Sequence, residues 1–164
     1  MSTKATTGSV EQQQRDEQSE LTTGVERWQA GVVAGLLGAV AFSALLAISA
    51  PAALTAAIPS MYGLSGGMAG MGIHLSHGAL LGVVFVAVLR LWPDPGRTVT
   101  RAAIAGTAYG VVLWGILAVF VMPLWLSAVG FAGAPSLPAF DLMSLVGHVL
   151  YGIVLGATYP RLRR

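Results

Sequence analysis

The sequence predicts an all-α membrane protein, a bundle of four transmembrane helices. Three observations carry that reading. The chain has 164 residues, of which 55% are hydrophobic and only 10% charged, against about 25% charged in a soluble domain. Nearly all of the apolar residues lie between Trp28 and Pro160. The nine Lys and Arg residues fall into three groups: Lys4, Arg15 and Arg27, then Arg90, Arg97 and Arg101, then Arg161, Arg163 and Arg164. Between the groups run apolar stretches long enough for two crossings each. Positive residues concentrate on the cytoplasmic side, so both termini and the central connection are expected inside the cell membrane. Two uncharged connections are expected outside it.

Residues 1–27 are rich in Ser, Thr, Gln and Glu, carry three positive and five negative side chains, and read as a disordered polar cytoplasmic tail. Thr23 suits an N-cap, with Glu26 three residues on as its capping-box partner. The first helix is expected from Trp28 to Ala50, about 34 Å at 1.5 Å per residue. It is too long, and too far behind a polar tail, for a cleaved signal peptide. Pro51 ends or kinks it, Ala52 to Ile58 suit a short helix on the outer surface, and Pro59 to Gly67 read as a turn region. The second helix is expected from Met68 to Leu91, stopped by Trp92-Pro93-Asp94-Pro95-Gly96. The third runs from Thr100 to Met122, stopped by Pro123. The uncharged stretch Leu124 to Phe140 places Trp125 and Phe131 at the outer interface. Asp141 suits the N-cap of a fourth helix that ends at Tyr159, before Pro160. Residues 28–160 thus form one membrane domain, and 161–164 a basic cytoplasmic C-terminus.

The two halves read as parallel two-helix repeats. Each has a spanning helix, a proline-marked uncharged connection (Ile58-Pro59, Met122-Pro123) and a returning helix with an early histidine. In this comparison His77…Gly82 matches His148…Gly152. Convergent membrane composition explains these few identities about as well as duplication does. Every helix also carries a Gly-x-x-x-Gly pair: Gly31/Gly35, Gly78/Gly82, Gly106/Gly110 and Gly152/Gly156. Small residues so spaced let helix backbones approach closely, and packing drives association in lipid.

Cysteine is absent, which excludes disulfides and thiolate ligands. The charge excess follows from topology and gives no reason to invoke nucleic acid. Candidate chemistry rests on the three histidines, the ionisable side chains expected well inside the membrane, which makes them a functional hypothesis by default. His77 and His148 are expected roughly 10–15 Å below the outer surface by helix rise, where they can meet if their helices face each other. His74 lies one turn from His77. The bland alternative is neutral imidazoles bonded to backbone, Ser76, Tyr151 or one another. The sharper one is a cofactor. Met68, Met71, His74 and His77 recur every three residues, and thioether and imidazole suit Cu(I), with His148 completing a set. His77 and His148 alone suit haem b. Period three turns about 60° per step, so the four stripe residues cannot all face one ion.

Gly63-Leu64-Ser65-Gly66-Gly67 matches G-x-S-x-G, but no strand precedes the serine. With His148-Val149-Leu150-Tyr151-Gly152 it loosely resembles the serine–histidine pair of rhomboid-type intramembrane proteases, with four helices in place of six and a serine in an outer loop. No phosphate-binding loop, dinucleotide fingerprint or HExxH is present. The runs Tyr109-Gly110-Val111-Val112-Leu113-Trp114, Met122-Pro123-Leu124-Trp125-Leu126 and Asp141 to Gly152 resemble a family of small four-helix membrane proteins common in halophilic archaea. The resemblance covers residues 28–160 and implies the topology without an activity. The sequence reading is therefore a noncatalytic accessory or scaffold subunit in the lipid bilayer, associating with other membrane subunits or with itself. A copper- or haem-binding protein is the runner-up, and a serine hydrolase the third reading.

Overall fold

The computed structural model describes residues 26–91 and 98–163. The expected tail disorder over residues 1–25, the Thr23 cap and the Trp92–Gly96 stop lie outside the described residues. Four helices are long and apolar enough to cross a membrane: α1 (Arg27–Ser49), α2 (Gly67–Leu89), α3 (Val99–Ala128) and α4 (Leu142–Leu162). No strand occurs among the described residues. The all-α four-span fold read from the sequence is the fold observed.

Helix ends follow local chemistry. Glu26 itself is the N-cap of α1, and its backbone N–H donates to Gln29 Oε1 at 3.0 Å. The reciprocal cap thus sits three residues later than the Thr23/Glu26 reading. Thr98 Oγ1 accepts from the Arg101 N–H at 3.3 Å to start α3. Asp141 caps α4, its Oδ1 accepting from the Ser144 N–H at 2.6 Å, as its place before an apolar run suggests.

The prolines depart from expectation. Pro123 does not stop α3, which continues to Ala128. A proline has no N–H for the carbonyl four residues back, and its ring crowds that carbonyl. Here the preceding stretch Trp114–Val121 opens into a π-helix, and the freed Val119 carbonyl accepts the Ala139 N–H at 3.1 Å from the following connection. Pro59 repeats the arrangement. It sits inside a short helical segment, after a π-helical turn (Ala53–Ala57), and the Thr55 carbonyl accepts the Gly66 N–H at 3.0 Å. The short helix expected over 52–58 is present, and the turn region begins only at Met61. A carbonyl freed inside a bilayer finds no water, so a backbone donor from the adjoining segment is what makes each proline tolerable. Pro160 likewise lies within α4, which runs past Tyr159 to Leu162. It falls in the last turn, where the Arg161 guanidinium donates to the Ala157 carbonyl.

Around the bundle the order is α2, α1, α4, α3. Glycines set the closest approaches. A Cβ on Gly82 would drive into the Gly31 carbonyl, and one on Gly35 into the Gly78 carbonyl. Between α3 and α4, a Cβ on Gly106 would strike the Gly152 carbonyl, and one on Gly110 the His148 carbonyl. The central α1–α4 contact instead fits rings over glycines. Tyr151 lies against Gly38, and the Phe42 ring fills the space a Cβ on Gly147 would need. Tyr151 Oη then donates to the Gly78 carbonyl at 2.8 Å, tying α4 to α2 across α1. Helices α2 and α3 stand apart and are bridged by Tyr109, whose Oη donates to the Leu81 carbonyl at 2.9 Å.

Candidate functional site

Where α2 and α3 diverge, the bundle leaves a cleft of about 940 Å³. Its position follows from the packing. Helix α2 lies close on α1, and α3 on α4, at the glycines, and the remaining gap opens toward the ends of α1 and α3 and the starts of α2 and α4. Phe42, Leu46 and Tyr151 form the floor, and Leu80 on α2 and Val121 on α3 stand at the sides. Leu80 is 63% exposed and Val121 38%, so the gap opens sideways between these two helices. Phe131, Pro135 and Pro138, from the connection between α3 and α4, line its other end.

All three histidines line this cleft. His74 and His148 each meet the Phe42 ring edge-on, with centroids 5.1 and 4.9 Å away. His74 Nδ1 is 2.8 Å from Ser43 Oγ. Ser43 is 2% exposed, and this bond satisfies a hydroxyl that apolar surroundings would otherwise leave unpaired. His148 Nδ1 is 2.8 Å from the Ser144 carbonyl. A carbonyl only accepts, so Nδ1 carries the proton and the neutral ring presents a lone pair at Nε2. His77 Nε2 is 2.7 Å from Tyr62 Oη, and the Tyr62 ring rests on Trp125 at 5.5 Å. Among the described residues, the one fully buried side-chain nitrogen or oxygen without a partner is Trp114 Nε1. The second ring nitrogens of the histidines, which make no hydrogen bond of their own, are therefore not fully buried.

The structure brings the candidate residues together differently from the sequence reading. His77 and His148 share the cleft, but no hydrogen bond or ring contact joins them; His74 and His148 are the pair with a common neighbour, Phe42. Glycine register explains it. Gly78/Gly82 and Gly152/Gly156 make the equivalent close contacts, and His74 and His148 each stand four residues before the first glycine of their pair. His77 therefore corresponds to Tyr151, not to His148. Of the thioethers, Met68 is 91% exposed, whereas Met71 packs partly buried against the core. No three His, Cys, Asp or Glu side chains among the described residues are grouped to hold a metal ion. Ser76 bonds back to the Gly72 carbonyl at 2.8 Å, not to a histidine. Ser65 is exposed in the connection before α2, while His148 is committed to Ser144 and Phe42 inside the bundle.

Phe42, Ser43 and Tyr62 were not marked as site residues by the sequence. Ser43 carried a signal, as the one polar side chain between Ala30 and Ile48. A lone hydroxyl in an apolar span needs a partner.

No curated protein and no solved structure matches the chain. One family model does match, over residues 25–164 and so across all four spans and every residue of the cleft: the chain belongs to the family of unknown function DUF6789.

Proposed function

We propose that this membrane protein is a noncatalytic subunit that holds a small, membrane-dissolved molecule in the cleft between α2 and α3. The observation that supports it is the cleft itself: about 940 Å³, mostly apolar walls, and three imidazoles in its lining. A pocket of this size with a few convergent polar groups is the form ligand sites take. The uncharged connections at this end, set against Lys and Arg in the other connecting and terminal segments, support a cleft near the outer face. Single cysteines at Ser65 and Ser136 are expected to react with an impermeant maleimide in intact cells, and one at Ser2 is not.

Native mass spectrometry of protein released in mild detergent tests the reading. A small-molecule adduct is expected, lost when Ala118→Trp fills the cleft. No adduct, together with no uptake of added apolar probes, overturns it. The three cleft imidazoles also favour a second reading, a haem or Cu(I) site that includes His148. Protein from cells grown with both cofactors available would then show a Soret band or bound copper, removed by His148→Leu.

A further inference from the structure

We infer that the cleft selects a neutral aromatic molecule carrying a hydroxyl donor, of the phenol or hydroquinone class, and that His148 Nε2 accepts its hydrogen bond. The inference rests on the ligand-binding reading above and specifies its chemistry.

Four observations converge. The first is the fixed tautomer of His148. Its Nδ1–H is spent on the Ser144 carbonyl at 2.8 Å, so the neutral ring offers the cleft an acceptor and no donor at Nε2. The partner that suits it is an O–H or N–H group. The second is charge. The described lining includes no Lys or Arg, and its one acidic residue, Asp141, is turned to the Ser144 N–H as a helix cap. A phosphate or carboxylate head would lose its hydration with no cation to receive it, a cost that buried charges avoid by pairing. A neutral head carries no such cost. The third is the wall. Phe42, Trp125, Phe131, Phe140 and Tyr151 all line the cleft, and aromatic rings favour a ring-bearing ligand through offset or edge-on contacts. The fourth is the entrance. Leu80 and Val121 are exposed on either side of the gap, where α2 and α3 face the hydrocarbon, so a molecule dissolved in the membrane reaches the cleft sideways. A hydroxylated ring with an apolar chain meets all four conditions. A lipid phosphate fails the second.

The other histidines fit around this arrangement. Ser43 Oγ lies 2.8 Å from His74 Nδ1; donating its hydrogen there leaves His74 Nε2–H as a donor. A para-hydroquinone can then give one hydroxyl hydrogen to His148 and receive a hydrogen bond from His74 on an oxygen.

The test uses the full chain in nanodiscs under anaerobic conditions. The probes are a decyl-substituted 1,4-hydroquinone and its 1,4-dimethyl ether, which keeps ring and chain but has no donor. Binding isotherms by thermophoresis are expected to saturate for the hydroquinone. The ether is expected to bind about tenfold more weakly, the scale of one lost hydrogen bond to a buried acceptor. His148→Leu should weaken the hydroquinone about tenfold and leave the ether unchanged, and His148→Gln, whose amide carbonyl accepts, should recover part of the loss. Ala118→Trp should abolish saturable binding of both. Equal affinity for the two probes, or hydroquinone binding indifferent to His148→Leu, overturns the inference. If both probes still saturate and Ala118→Trp blocks them, the ligand-binding reading stands without it. Saturation by neither probe overturns both. The comparison of the two probes on the unaltered protein does not depend on any variant folding.

Discussion

The pair α1–α2 and the pair α3–α4 close on each other through the same contact, yet contribute to the cleft in different ways. In each pair, two glycines four apart meet two glycines of the returning helix, backbone against backbone. Each pair is followed, or interrupted, by a π-helical turn and a proline whose freed carbonyl is capped by an amide of the next connection, at Thr55 and at Val119. Each returning helix carries a histidine four residues before the first glycine of its contact pair, His74 before Gly78 and His148 before Gly152. These correspondences are what a duplicated two-helix unit would leave, and they are more specific than the few sequence identities. The pairs diverge at the next turn. His77, on α2, reaches Tyr62 near the cleft. Tyr151, at the same register on α4, is 3% exposed and bonds the Gly78 carbonyl across the bundle. One position was turned to the open space, the other to holding the bundle shut. The matching glycine positions lie at the helix contacts, and the two pairs differ where they line the cleft.

The largest effect should come from the repeated glycines. Gly82→Leu and Gly152→Leu each place a side chain where a facing carbonyl lies. Each is expected to cost more than about 3 kcal/mol, above the usual overpacking range, because backbone rather than a side chain must move. Gly72→Ala and Gly115→Ala, which meet nothing within 4 Å, are expected to stay within about 0.5 kcal/mol. Thermal unfolding in detergent measures both. If the Gly82 and Gly152 variants differ widely, the two contacts are not equivalent and the comparison between the pairs breaks.

The proline devices come next. Ala139→Pro removes the N–H that now serves the Val119 carbonyl at 3.1 Å. An unpaired carbonyl away from water costs about 1–3 kcal/mol. Adding Pro123→Ala to that variant restores an intrahelical donor to the same carbonyl, so the double change should be more stable than Ala139→Pro alone. Pro123→Ala by itself is expected to be nearly neutral, because a carbonyl oxygen has two lone pairs and can accept both donors. Additive losses would show that Ala139 matters for some reason other than that carbonyl.

Much of the architecture was legible because the bilayer writes it in coarse terms. Length, apolarity and the grouping of Lys and Arg define the four spans without any knowledge of packing, and helix bounds such as Arg27–Ser49 and Gly67–Leu89 fall within a residue or two of the reading. The prolines were misread because a proline stops a helix only when nothing replaces its lost bond, and the replacing amides come from Gly66 and Ala139, beyond the reach of a local rule. The cleft histidines were legible as polar groups in an apolar setting. Their pairing was not, because spacing within α2 or α4 does not say which ring faces α1. That is fixed by Phe42 seated over Gly147, a contact between α1 and α4 with no signature in either segment alone.

The smallest effect concerns the divergent position itself. Tyr151→Phe removes a hydroxyl that donates to the Gly78 carbonyl from a buried ring, while the ring still covers Gly38. The expected loss is about 1 kcal/mol, the net value of one such bond. Tyr62→Phe removes the hydroxyl that meets His77, but Tyr62 is 46% exposed. Other partners can replace that hydroxyl there, and the loss should stay below about 0.5 kcal/mol. The two changes delete the same atom, one on Tyr151 itself and one beside its register counterpart His77. A larger loss for Tyr151→Phe places the structural role on α4 and leaves His77 free for the cleft. If Tyr62→Phe costs as much, His77 is also part of the framework. The cleft chemistry then rests on His74 and His148 alone, the two rings that share Phe42.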